Sequence, residues 1–424
     1  MRRHRAVVGA TALAVLALVG GLAATAWQAH EARLARDRAE QQLAELKRLT
    51  RDVVFRYGDA VTYLPGGLQV KEQMMLDAVQ RLESFASVAE GDPGLRGDLA
   101  TAWARVAYIQ GDESTASLGK PDDAIRNADR AIAAAQGAID GREGDAEFML
   151  WLSRAHTARG HALRQSGRKP DAMASFESAI ALLERGLARQ PANRTLRTER
   201  ATLRHATGQL LYQPGNQHLD RPADALVQLQ LAQRELEAIE AERHDVEAIY
   251  QLGTVVGAIH LVHLGQGRLD EAIATGGQAV ALRRRSAEED PSSIVYQDGL
   301  CTEANNLGFA LLRAMRPAEA LQATTLARDT GLLLARQNGP QSKWPRQTRL
   351  YATSHGRALA GVGRHAEAIA MFEEAEAEWQ RMQAEAPATM QAFRQTWVTV
   401  QRARSLAALG RRAEAQPLLQ AAQA

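Results

Sequence analysis

A single cysteine, Cys301, stands among the 424 residues. No disulfide within the chain can therefore hold the fold together, and the count bears neither way on an oxidising compartment. Its apolar, helix-like neighbourhood marks a small buried residue, not a reactive thiol. Aromatic residues make up only 5% of the chain, and alternating runs of Val, Ile, Thr and Tyr are nearly absent, which argues against a sheet. A dominant charge is also missing: 51 basic and 49 acidic residues leave a formal +2, with arginines and acids interleaved. No sustained basic stripe exists to hold nucleic acid, and most charges read as solvated helix faces. What remains is rich in alanine, leucine, arginine, glutamate and glutamine, the residues that form helices.

The first residues depart from this balance. Arg2, Arg3 and Arg5 precede an uncharged run over 6–27, about 33 Å long as a helix and so matched to a bilayer core. The basic flank 1–5 predicts a cytoplasmic N-terminus, and Trp27 falls where an interfacial aromatic sits. Ala24-Thr25-Ala26 also permits a signal-peptidase site, but the run is long for a signal sequence and feeds directly into charged helix. We therefore expect a single-pass anchor in the inner membrane, with everything after it in the periplasm. Residues 28–61 read as a stalk helix. Ala39, Leu43, Leu46, Val53 and Tyr57 fall near a heptad pattern, a seam through which two copies could pair. A helix over 68–89 comes next, within a degenerate first hairpin spanning 62–94.

From there a ladder of alanines runs to the end: Ala124, Ala172, Ala225, Ala272, Ala320, Ala368 and Ala415, spaced by 48, 53, 47, 48, 48 and 47 residues. Asp or Glu precedes each one, placed to be favoured by the dipole of a helix opening there. A fixed period of this length predicts stacked helical hairpins over 95–424. Breakers come at a nearly constant distance after the alanines (Pro191, Pro291, Pro340 and Pro387), and Pro93 counted back the same way points to Met74 as an eighth, degenerate rung. Gly160, Gly308 and Gly356 stand twelve residues before their alanines, where a small residue lets two helices meet closely. His260 and Ala403 hold that place in two other units. The 53-residue unit carries Gly208 further back, which puts its insertion at 213–218. Gly167, Gly267, Gly363 and Gly410, each five before its alanine, are expected left-handed helix caps.

These marks resemble the tetratricopeptide repeat, which carries a small residue at its eighth position, Ala at the twentieth, an aromatic at the twenty-fourth and Ala at the twenty-seventh. The unit 153–182 matches with Gly160, Ala172, Phe176 and Ala179, and the unit 349–377 with Gly356, Ala368, Phe372 and Ala375. The unit from Cys301 has Gly308, Ala320 and Ala327, with Thr324 in the aromatic place. The resemblance implies an all-α, tetratricopeptide-like solenoid, here carried on an N-terminal transmembrane helix. The period departs from the family's 34, so the helices must be longer. Ala225, Ala272 and Ala415 join the repeat-packing set. The family's groove positions fall on Arg154, Thr157, His161, Arg164 and Gln165; on Thr302, Asn305, Phe309, Leu312 and Arg313, with Asn306 adjacent; and on Leu350, Thr353, Arg357, Ala360 and Gly361. The resemblance implies a protein or peptide partner, with the arginines facing acidic or C-terminal carboxylates.

A second resemblance covers 1–135. The arginine-flanked apolar run, then Asp59-Ala60-Val61 to Leu64-Pro65-Gly66, Leu82-Glu83 to Asp92-Pro93, and Asp98-Leu99-Ala100 to Gly111-Asp112 are similar to the region beyond the kinase domain in bacterial membrane-anchored serine/threonine protein kinases. That implies the sensor half of such a kinase, with its catalytic domain missing or encoded upstream. The chain itself contains no G-x-G-x-x-G loop, no H-R-D and no D-F-G. His260 and His263 lie three apart on one helix, but spacing identifies no third ligand, and no metal, cofactor or catalytic residue is expected.

Overall fold

The computed structural model describes residues 67–86, 93–111, 117–139, 145–215, 218–340, 342–385 and 389–422, with six helical residues between 27 and 34. The predicted membrane span and nearly all of the stalk lie outside these. Contacts divide the chain into Met1–Ala60 and Val61–Ala424, and the second unit holds the repeats.

Its described residues contain fifteen helices and no strand. Helix α1 spans Gly67–Ala86. Seven hairpins come after it: α2 (Pro93–Gly111) with α3 (Pro121–Ile139), α4 (Ala146–Gln165) with α5 (Lys169–Arg189), α6 (Arg194–Leu211) with α7 (Pro222–Glu242), α8 (Val246–Gly265) with α9 (Leu269–Glu289), α10 (Ile294–Arg313) with α11 (Pro317–Asn338), α12 (Lys343–Gly361) with α13 (His365–Glu385), and α14 (Thr389–Ala408) with α15 (Arg412–Ala421). Each helix packs on the next, and the first helices of successive hairpins also touch one another, forming an inner row. Helices of about twenty residues account for the long period. Within the predicted 62–94 hairpin the described residues form helix α1 and the first two residues of α2. Its sealed position is Met75, not Met74: Met75 and Val79, one turn on, are buried against α2, while Met74 is only half-buried.

Every ladder alanine is the fourth residue of a second helix, and each is essentially inaccessible. The residue five before it has positive φ in all seven hairpins: Gly119, Gly167, Asp220, Gly267, Met315, Gly363 and Gly410. Four of these are the predicted caps. In the six hairpins from α4–α5 onward, the next backbone N–H, from Arg168, Arg221, Arg268, Arg316, Arg364 or Arg411, donates back to a carbonyl of the first helix at 2.9–3.0 Å. In five of them this closes a left-handed cap that reverses the chain in three residues. In five of the six the arginine side chain also reaches the acid before the alanine, as in Arg316–Glu319 and Arg411–Glu414, both at 2.6 Å. The acid therefore holds an ion pair as well as sitting at the helix dipole. The 53-residue unit instead links its helices through 212–221, and Tyr212 and Pro214 of that loop cover Gly265 at the end of α8.

The small residue of the first helix faces a side chain, not a backbone as the sequence suggested. A Cβ on Gly160 would lie 2.3 Å from the Phe176 ring, on Gly356 2.8 Å from Phe372, on Gly308 2.5 Å from Thr324, and on Gly208 2.7 Å from Leu229. The partner is always the residue one turn after the ladder alanine. In α8–α9 the sizes are exchanged: His260 is the large member, and its Nδ1 lies 2.7 Å from where a Cβ on Gly276 would be. Helix α8 is long and apolar enough to cross a membrane, but two-thirds of its apolar window is buried among its neighbours.

Ion pairs one repeat apart tie hairpin to hairpin: Arg154–Glu199 at 2.9 Å, Arg285–Glu240 at 3.0 Å, Arg328–Glu374 at 2.8 Å and Lys343–Asp298 at 2.7 Å. Glu378 of α13 is buried among Arg346, Arg349 and Arg381.

Two substitutions check the hairpin. Met315 is 85% exposed at φ 57°, so Met315→Gly should relieve left-handed strain and raise unfolding stability by about 1 kcal/mol. Gly160→Ala should lower it by roughly 1–3 kcal/mol, because the ring of Phe176 has no space to yield. Denaturant midpoints read both.

Candidate docking groove

The inner row carries the predicted groove positions, but its two halves differ. In α4 they serve the fold. Thr157, His161 and Arg164 are buried, which removes them from any open groove. Thr157 donates to the Ser153 carbonyl at 2.8 Å, and His161 packs edge-on against Phe176 and tilted against Tyr108. Arg154 is held by both oxygens of Glu199 at 3.0 and 2.9 Å, and Gln165 donates to Ser117 Oγ. The physical reason is the close approach of α2 to α4, which brings Tyr108 over this stretch.

In α10 and α12 most of the predicted positions stay open, Leu312 being buried. Asn305, Phe309 and Arg313 from α10, with Leu350, Thr353 and Arg357 from α12, line a cavity of about 650 Å³. Helix α14 closes the far side with Phe393, Arg394 and Trp397, and Trp379 of α13 forms part of the floor. The volume lies within the range of ligand pockets. Phe309 is 40% and Phe393 65% exposed. A second hollow of about 360 Å³ shares Arg357 and adds Leu312, Ala360, Gly361, His365 and Arg404. Asn306 turns the other way, toward Glu303, and Thr302 lies within 3.4 Å of Gln347 Nε2 on α12.

No acidic residue lines either cavity. The Arg357 guanidinium lies 4.9 Å from the Trp397 ring and 6.0 Å from Phe309, within the reach of cation–π attraction. Loss of water pushes its pKa below the ordinary arginine value. Arg394 covers Trp379 at 5.3 Å, and Arg313 donates to the Leu264 carbonyl at 3.0 Å. Helix α14 supplies residues that sequence reasoning missed. It belongs to the unit of Ala415, where Ala403 stands in the small place, and the cluster Phe393-Arg394 with Trp397 was the available signal in so aromatic-poor a chain.

The two histidines of α8 serve packing. His260 is sealed, with Nδ1 donating to the Ala272 carbonyl at 2.6 Å, and His263 is also buried. Burial pushes both below the usual histidine range. Among the described residues no group of three His, Cys, Asp or Glu side chains could hold a metal ion. Cys301 is buried with Sγ donating to the Ala327 carbonyl, and burial pushes its thiol up to about 12.

No family model and no curated relative matches the sequence. Solved structures do share its fold. The apo form of RapI is 9% identical over 88% of this chain and 97% of its own, with a TM-score of 0.52. The STAND protein PH0952 from Pyrococcus horikoshii, described as having a tetratricopeptide repeat sensor, is 12% identical over 83% of this chain and 52% of its own, with a TM-score of 0.50. At these identities the likeness is one of fold. The chain has the all-helical, tetratricopeptide-like solenoid fold.

Beneath the groove face of α10, Glu303 points into α8, where a Cβ on Gly257 would lie 2.6 Å from its Oε2. Burial pushes its carboxyl up to about 7 from an ordinary value of 4.5, against the opposing influence of Arg283 and Asn306. The folded chain therefore holds this proton to higher pH than the unfolded chain does. The favourable contribution is complete below about pH 4.5 and is lost as pH rises through 7. Between those values the loss amounts to roughly 3 kcal/mol. Denaturant unfolding at pH 5 and pH 8 should show Glu303→Gln with a shallower fall in stability than the parent chain.

Proposed function

We propose that this chain is a membrane-anchored protein-interaction scaffold whose solenoid stands in the periplasm and docks a partner segment in the cavity between α10, α12 and α14. One observation carries the docking site. Large aromatic side chains that a closed solenoid would bury are presented at the mouth of this cavity, Phe309 and Phe393 above all. Aromatic and arginine side chains around a concave floor are the groups that dominate binding energy at interfaces. The interaction role agrees with the fold, and the residues lining this cavity are its proposed contacts. The anchor rests on the uncharged run 6–27 and its arginine flank, and pairing of two copies through 28–61 rests on the short heptad seam. No cofactor or chemical step is assigned.

The arginine-flanked junction and the segments after it favour a second reading, the sensor half of a serine/threonine kinase with its catalytic part encoded upstream. Translation of the DNA ahead of Met1 decides it: an in-frame H-R-D and D-F-G support this reading, and an early in-frame stop removes it.

A photo-reactive phenylalanine analogue at position 309 should crosslink a discrete partner in intact cells. The same group at Val227, an exposed position on α7, should not. Identical products from both positions would remove the groove from the proposal. Alkaline phosphatase fused after residue 60 should be active, and inactivity would reverse the proposed topology.

A further inference from the structure

Glutamates buried in the solenoid are held by arginines, with one exception among the described residues. Glu235 meets Arg200 at 2.5 Å, Glu376 meets Arg402 at 2.8 Å and Glu378 meets Arg349 at 2.5 Å. Glu303 of α10 is just as buried, yet it forms no ion pair and its Oε1 has no hydrogen-bond partner. The complementary exception is Arg283 of α9. It is buried as well, its Nε and Nη1 have no hydrogen-bond partner, and its guanidinium lies 3.9 Å from the centre of the Tyr250 ring. A charge taken out of water without a partner of opposite sign is unfavourable.

The two exceptions share one interface. Arg283 passes between α8 and α10 at the level of Gly253 and Gly299. A Cβ on Gly253 would lie 3.1 Å from its Cδ, and one on Gly299 would lie 3.0 Å from its Nη1. Glu303 fills the next gap along: it stands one turn beyond Gly299 on α10 and packs against Gly257, one turn beyond Gly253 on α8. A turn is about 5.4 Å, a distance that an arginine side chain covers by changing rotamers. The charge of Arg283 already bears on Glu303 across that gap.

The surrounding groups leave the switching to Glu303. On α8, His260 turns its Nδ1 to the Ala272 carbonyl, and burial pushes it and His263 down. Burial pushes His205 of α6, which also feels Arg283, down to about 4. Toward α11 and α12, Cys301 and Tyr351 are each pushed up to about 12. Only the Glu303 carboxyl, pushed up to about 7, is placed to change charge near neutrality.

We propose that Arg283 and Glu303 form a proton-controlled latch between the α8–α9 hairpin and α10. With Glu303 protonated, the guanidinium rests on Tyr250 between Gly253 and Gly299. When Glu303 releases its proton to water, the guanidinium leaves the ring and closes on the carboxylate one turn along. Interiors are close-packed, so the space vacated beside Gly299 is taken up by movement of α10 against α8. That contact sets how the last three hairpins lean on those before them. The latch is independent of the docking role proposed for the cavity.

Spin labels on the full chain test this. Cysteines are introduced by Val227→Cys on α7 and Leu333→Cys on α11, two exposed positions on either side of the interface. The native Cys301 thiol is buried and stays unlabelled. Labelled chain is diluted with unlabelled chain, so that double electron–electron resonance reads distances within one copy. Between pH 5 and pH 8 the mean distance should shift by at least about 1 Å, the scale of helix shifts at interfaces. A second pair, Leu333→Cys with Leu409→Cys, lies wholly beyond the interface and should hold its distance. Glu303→Gln and Arg283→Met, which keep the size of the buried side chains, should each make the first distance independent of pH. A fixed distance in the parent chain, or a shift that survives either substitution, would overturn the latch.

Discussion

Seven alanine methyl groups, each sealed between a second helix and the helix before it, set the distance on which the rest of the solenoid depends. With the methyl buried at the fourth position, the two helices approach closely enough that the next contact, one turn along, must be shared between a small residue and a large one. Gly160 and Phe176, Gly356 and Phe372, and the reversed pair His260 and Gly276 are solutions to the same volume. The close approach also leaves only three residues to reverse the chain in most hairpins. That demands a left-handed residue at the turn, and even Met315 and Asp220 accept that conformation where glycine is absent.

Between hairpins the cohesion is electrostatic as well as apolar. Basic and acidic side chains on neighbouring repeats meet across several junctions, and acids such as Glu235 and Glu378 are buried only because several arginines surround them. Burial of such charges is tolerable when each has a partner. Near the C-terminal end of the inner row, arginines gather around a cavity that no acid lines, and side-chain donors and acceptors there stay unanswered.

Much of this was legible as spacing. The ladder, its acids and four of the left-handed glycines could be read directly because each is a local requirement repeated at a fixed interval. Gly208 also gave away the insertion, since its partner Leu229 keeps its place one turn after Ala225. Other features were misread. The acids looked like helix-dipole residues alone, although an arginine stands three residues ahead of most of them. The small residues looked like backbone contacts, although each faces a side chain. Met74 was one residue from the position that is sealed, because a single proline offset cannot resolve which of two adjacent methionines turns inward.

By itself the sequence determined the fold class, the repeat register and the small residue at most hairpin crossings, because these depend on short-range sterics along the chain. It could not distinguish His161 from Phe309 and Arg357, which occupy equivalent repeat positions. Only the tertiary structure decided that His161 is closed over by α2 while Phe309 and Arg357 remain open beside α14. Exposure of an inner-row residue depends on how closely the neighbouring hairpins approach, and that distance is set by contacts between repeats that no single unit encodes.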